Sequence, residues 1–253
     1  MSQFYDLIAP VFEVGIALAL VGVLVFVILG RFYKYWMILA YVIWELLATL
    51  GLTVADLAVR GTSATQVNTG TPAQILYARL YWTNDVLVDL FRFVLLMVLI
   101  YMASQASRRV SARFLALLVV AALVLPFVLF SPNYRVVEVG ALHLRYPSTT
   151  WFQSTSELLN FGAAIMNLML WGTLLASKKR DPQILLVSLG LGIVVTGTAM
   201  AYGIRHLINP VEFKPVGYLI MNFSQLLGWF VWCRAFWPTR KARQIADVPA
   251  SSA

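Results

Sequence analysis

"YWTNDVLVDLFRFVLLMVLIYMA", Tyr81 to Ala103, decides the fold. The stretch contains no glycine or proline, and its second half is almost wholly apolar. As a helix it is long enough to cross the roughly 30 Å hydrocarbon core of a bilayer. Its first half nevertheless places Asp85, Asp89 and Arg92 at i, i+4 and i+7, along one helical face, with Tyr81 one turn above. An ionisable side chain near the bilayer centre costs about 3 kcal/mol on insertion scales, so such residues face a bundle interior or water. A lone helix offers neither, and this one belongs in a bundle.

The rest of the chain supplies the bundle. Of 253 residues, 60% are hydrophobic and 12% charged, about half the charged share of a soluble domain. Mean hydropathy is +0.79. Apolar runs recur at 7–30, 36–59, 76–104, 112–131, 154–177, 183–205 and 215–237. They predict an all-α membrane protein, a seven-transmembrane-helix bundle forming one domain over 1–238. Residues 239–253 are expected to be a basic, disordered cytoplasmic tail. "MSQFYDLIAP" lacks the basic start of a cleavable signal, so the first run is expected to be a retained span. The single cysteine, Cys233, excludes an intrachain disulfide and a cysteine-based metal cage, and is expected to pack on the last helix.

The net charge of +8 is explained by its distribution. Arg31 and Lys34, then Arg108, Arg109 and Arg113, then Lys178, Lys179 and Arg180 follow spans one, three and five. Arg234, Arg240, Lys241 and Arg243 follow span seven. Short basic connections stay in the cytoplasm, which predicts an outside N-terminus and a cytoplasmic C-terminus for a multi-pass protein of the cell (inner) membrane. The partners implied are lipid and a membrane protein or small polar ligand, not nucleic acid.

Asp181-Pro182 reads as an N-cap and first-turn proline for span six. Pro126 is expected to kink span four. Trp36, Trp82, Trp151, Trp232 and Trp237 fall near predicted interfaces, where aromatic belts sit. Ser188, Gly192 and Thr196, with Gly197 and Gly203 beyond, form a small-residue series expected to be a packing seam. Between spans four and five, "YRVVEVGALHLRY" alternates around Gly140-Ala141 and predicts a small outer β-hairpin with Glu138 opposite His143. "GTSATQVNTGTPAQ" has no periodicity and reads as an irregular loop.

Six of eleven carboxylates fall within predicted spans: Glu13, Glu45, Asp56, Asp85, Asp89 and Glu157. They are expected to face inward. Arg92 is the one deep basic residue; Asp89 can pair with it within the helix, and Glu45 is a second candidate partner. Spans one, three, five and seven carry Glu13, Asp85, Glu157 and Gln225 at comparable depth. With Tyr81, Asn84, Asn160, Asn222 and Ser224, and Asn167 deeper, they predict a polar cup open to the outside. The bland alternative is a buried ion-pair network that fixes helix register.

His143 and His206 both lie towards the outer side, a poor arrangement for bis-histidine haem ligation, so no cofactor is expected. No HExxH, GxSxG or Walker sequence is present, no metal set is formed, and an enzymatic role ranks last. The segment "LYWTNDVL", preceded by "ILYAR", resembles a Tyr-Trp-x-x-acid pattern of uncharacterised bacterial seven-span membrane proteins. The resemblance covers the third helix and the topology, and implies no activity. The layout is also similar to receptor-like sensory modules of bacteria, which are normally fused to a kinase or cyclase output domain, so a sensor role here is expected to need a separate partner. Three functions therefore compete: a receptor-like or sensory protein binding a small polar ligand in the cup, an accessory subunit of a larger membrane complex, electron-transfer or otherwise, and a proton-coupled transporter centred on Asp89, Arg92 and Glu45.

Overall fold

A computed structural model describes residues 2–30, 35–62, 72–104, 112–130, 132–139, 142–176, 182–207 and 210–237. These form seven helices, α1 (Ser2–Leu29), α2 (Trp36–Thr62), α3 (Pro72–Ser104), α4 (Ala112–Leu129), α5 (Thr149–Ala176), α6 (Pro182–Leu207) and α7 (Pro210–Ala235). Between α4 and α5, β1 (Arg135–Val139) pairs antiparallel with β2 (Leu142–Tyr146), Glu138 facing His143 in register.

Five helices are long and apolar enough to cross a membrane, over Pro10–Leu29, Trp36–Ala55, Ile75–Ala103, Pro182–Ile204 and Val216–Ala235. Among the described residues, five of the seven expected spans meet this measure of length and apolarity; the apolar run of α4, Leu117–Leu129, is shorter, and α5 falls outside the set. The chain has the helical make-up of a multi-pass membrane protein. Several helices begin earlier than hydropathy suggested, because backbone chemistry rather than apolarity sets their ends. α3, α6 and α7 start on Pro72, Pro182 and Pro210, where a missing N–H costs nothing. α5 starts at Thr149 because the Ser148 hydroxyl accepts the Trp151 N–H at 3.3 Å, an N-cap. α4 continues through Pro126 to Leu129.

Several expectations lie outside the described residues: the Gly140-Ala141 turn, the Asp181 cap, the basic connections at 31–34, 105–111 and 177–181, the centre of the loop at 63–71, and the tail from 238. The side chains of Asp56, His143 and His206 do too.

The chain groups into two units, one of 1–43 with 171–253 and one of 44–170. In the first, α6 and α7 form an antiparallel hairpin and α1 lies along α7. The hairpin closes on two glycines. A methyl group on Gly190 would lie 2.9 Å from the Gly228 carbonyl oxygen, and one on Gly228 would lie 2.8 Å from that of Gly190. The Trp232 ring also covers Gly190, and Ser224 fills the space beside Gly197. The seam therefore runs through Gly190 and Gly197. Of the expected small-residue series, Gly197 lies on this seam and Ser188 and Gly192 are buried, whereas Thr196 is exposed.

Trp232 stacks edge-on with Trp229 and Tyr41, and its indole N–H donates to the Val187 carbonyl at 2.8 Å. Cys233 packs on α1, its thiol 3.4 Å from the Ala19 carbonyl oxygen. Trp36 and Trp237 are exposed as interface residues should be, but Trp151 and Trp232 are buried. They left the expected belt because each indole N–H has a backbone acceptor in the protein, Pro126 for Trp151 and Val187 for Trp232.

The seam makes a contrast testable. Gly190→Ala forces Trp232 or the Gly228 backbone to move and is expected to cost about 1–3 kcal/mol. Gly51→Ala meets nothing within 4 Å and should be neutral or stabilise by up to about 1 kcal/mol. Thermal or denaturant unfolding of the detergent-solubilised variants measures both.

Candidate functional site

The polar residues of the second unit converge on α3. Asp89 and Arg92, one turn apart, are 2% and 3% exposed. Arg92 donates through Nη1 to Asp89 Oδ1 at 2.9 Å and through Nη2 to Glu45 Oε1, on α2, at 3.3 Å. One guanidinium is thus shared by two carboxylates from two helices. A turn nearer the N-terminus of α3, half-buried Asp85 accepts the Ser156 hydroxyl of α5 at 3.3 Å. Ser156 is fully buried, and so is Asn160, whose amide donates to the Ser156 carbonyl at 2.8 Å.

The face of α5 that meets α3 is set by helical phase. Ser156, Asn160, Ala163 and Asn167 recur at i, i+4, i+7 and i+11, and all four are buried. Asp85 meets Ser156, and Phe93 lies against Gly162. The contacts advance together, so α3 and α5 run parallel, with Asn160 at the level of Asp89. Ser156 and Asn160 lie close enough to Asp89 to interact with it electrostatically. Neither brings a donor into hydrogen-bonding position at Oδ2, and that buried oxygen has no partner among the described residues. Trp44 Nε1 and Asn167 Oδ1 share that condition. Trp44 rests on Phe91, the neighbour of Arg92, with ring centroids 5.8 Å apart.

At the N-terminal end of α3, Tyr81 is half-buried and stands edge-on to Trp82 at 5.4 Å. Arg79, buried, donates to the Pro147 carbonyl and fixes α3 to the segment that caps α5. Arg79 and Ser156 were not singled out in the sequence. The signal for Ser156 was the spacing to Asn160 and Asn167, which Glu157 does not share; Glu157 is half-buried.

The other expected site residues lie elsewhere. Glu13 is exposed on α1, contrary to its expected inward orientation. Its helix packs on α7 through Gly15 and Gly22, and Glu13 does not share that phase. Asn222 and Gln225 are half-buried on α7, in the first unit. That unit has a small, open apolar notch lined by Tyr41, Leu191, Val194, Gly228, Trp229 and Trp232. Among the described residues no three His, Cys, Asp or Glu side chains cluster as a metal site would require.

No family model, curated protein or solved structure matches this chain. The site must therefore be judged on its own chemistry.

Removing Arg92 leaves two carboxylates buried without their cation. Arg92→Gln is expected to destabilise the protein by about 3 kcal/mol or more, whereas Glu13→Gln, on an exposed face, should shift stability by less than about 0.5 kcal/mol. Unfolding midpoints in one detergent give the comparison.

Proposed function

We propose that the chain is a receptor-like, non-enzymatic membrane protein that binds a small polar ligand at the α3–α5 face, with Asp85 at its entrance and Asp89 at its floor. The observation that carries this reading is Asp89 Oδ2, a carboxylate oxygen without a hydrogen-bond partner among the described residues, on a residue 2% exposed. Leaving a polar atom unpaired in an apolar interior costs several kcal/mol. A purely structural network has every reason to close that bond, and a ligand-binding one has reason to leave it open.

In this reading the seven helices all cross a bacterial inner membrane, the N-terminus and the hairpin facing outward and the basic connections inward. Ligand reaches Asp85 from the N-terminal end of α3, past half-buried Tyr81 and Asn84. Glu45 and Arg92 hold Asp89 in place from below. Glu157, in the same unit, extends the polar surface. The signal would pass to a separate partner through the inward connections.

The detergent-purified protein, screened against a panel of small cationic, neutral and anionic polar compounds, is expected to show saturable thermal stabilisation by one class. Asp85→Asn should fold with a near-unchanged midpoint and lose that response. A flat response across the panel, or an unaltered response in Asp85→Asn, would sink the reading.

A further inference from the structure

We infer that the ligand of this site carries a protonated amine, an ammonium group with N–H donors. The inference deepens the proposed binding function and rests on it. Three features of α3 point to this chemistry. First, Tyr81, Asp85 and Asp89 are spaced i, i+4 and i+8, so an aromatic ring and two carboxylates follow one another down one face. An aromatic face and carboxylates together are what recognise an organic cation. Second, Asp89 presents Oδ2 as an acceptor without a donor among the described residues, while Oδ1 is held by Arg92. A group that completes the site therefore brings its own hydrogen. Third, Arg92, the cation beneath, is already bridged between Asp89 and Glu45 at 2.9 and 3.3 Å. An incoming anion would have to displace one carboxylate and pass the other two.

The donor requirement separates this from simple charge attraction. A quaternary ammonium has the same charge and no N–H. A site built around Oδ2 discriminates against it, because a hydrogen bond to a charged group contributes about tenfold or more in affinity. Arg92 holds the Asp89 carboxylate through Oδ1, which leaves Oδ2 directed at the ligand, so the discrimination is geometric as well as electrostatic.

The test compares ethylammonium, tetramethylammonium, ethanol and acetate as probes on the full chain in mild detergent, at constant ionic strength, by isothermal titration and thermal midpoint. Ethylammonium is expected to bind saturably and at least about tenfold more tightly than tetramethylammonium, with ethanol and acetate showing no saturable binding. Asp89→Asn should remove the preference, and Glu13→Gln should leave it intact. Equal binding of the two cations, binding of acetate or ethanol, no binding of any probe, or an unaltered preference in Asp89→Asn would each overturn the inference. Should Asp89→Asn fail to fold, the ratio between the two cations on the unmodified protein decides alone. A neutral or anionic compound that binds and is lost in Asp85→Asn would overturn the ammonium assignment while leaving the binding site in place.

Discussion

Hydrocarbon offers no hydrogen bonds, so every polar group on a membrane helix must find its partner within the chain. That constraint organises both units. Hydroxyls on the helices turn back on their own backbone: Thr53 to the Thr49 carbonyl, Thr155 to Trp151 and Thr198 to Val194, at 2.8 to 2.9 Å. Buried indoles reach carbonyls on neighbouring helices, Trp232 on Val187 and Trp151 on Pro126. Arg92 carries the largest demand, and the second unit meets it with carboxylates from α2 and α3.

The two units answer the packing problem differently. Lipid tails are as apolar as leucine, so helix association in a membrane depends on close fit and on polar contacts. The first unit uses close fit. Gly190 and Gly228 let the α6 and α7 backbones approach, and Trp232 fills the space beside them. The second uses polar contacts, Glu45 with Arg92 across α2 and α3 and Asp85 with Ser156 across α3 and α5. Trp44 Nε1, Asp89 Oδ2 and Asn167 Oδ1, buried without a hydrogen-bond partner among the described residues, lie in the polar unit.

How much of this was legible in the sequence follows from where each piece of information is stored. The polar face of α3 is local: the 3.6-residue repeat alone puts Asp85, Asp89 and Arg92 together, and a mid-helix Glu45 is a natural partner for a buried guanidinium. Helical phase on a residue-rich segment is harder. In "STSELLN" the more strongly ionisable Glu157 drew the eye, whereas Ser156 occupies the buried phase with Asn160. In α6, small residues occur on several faces, and only the position of α7 selects Gly190 and Gly197 over Thr196. Tryptophan near a helix end reads as an interface residue until a backbone acceptor for its N–H is known, and that acceptor is non-local. Glu13 lay on the wrong side of α1 for the same reason, since a run of apolar residues all round leaves the helix phase undefined.

The shared ion pair at Arg92 is best examined by a double-mutant cycle in detergent, using Glu45→Gln, Arg92→Gln and the double variant. A coupling energy above about 1 kcal/mol is expected if the guanidinium bridges α2 and α3 in a water-excluded setting. Additivity to within about 0.3 kcal/mol would show that Glu45 and Arg92 do not interact in the folded protein, and the polar face described for α3 would lose its floor.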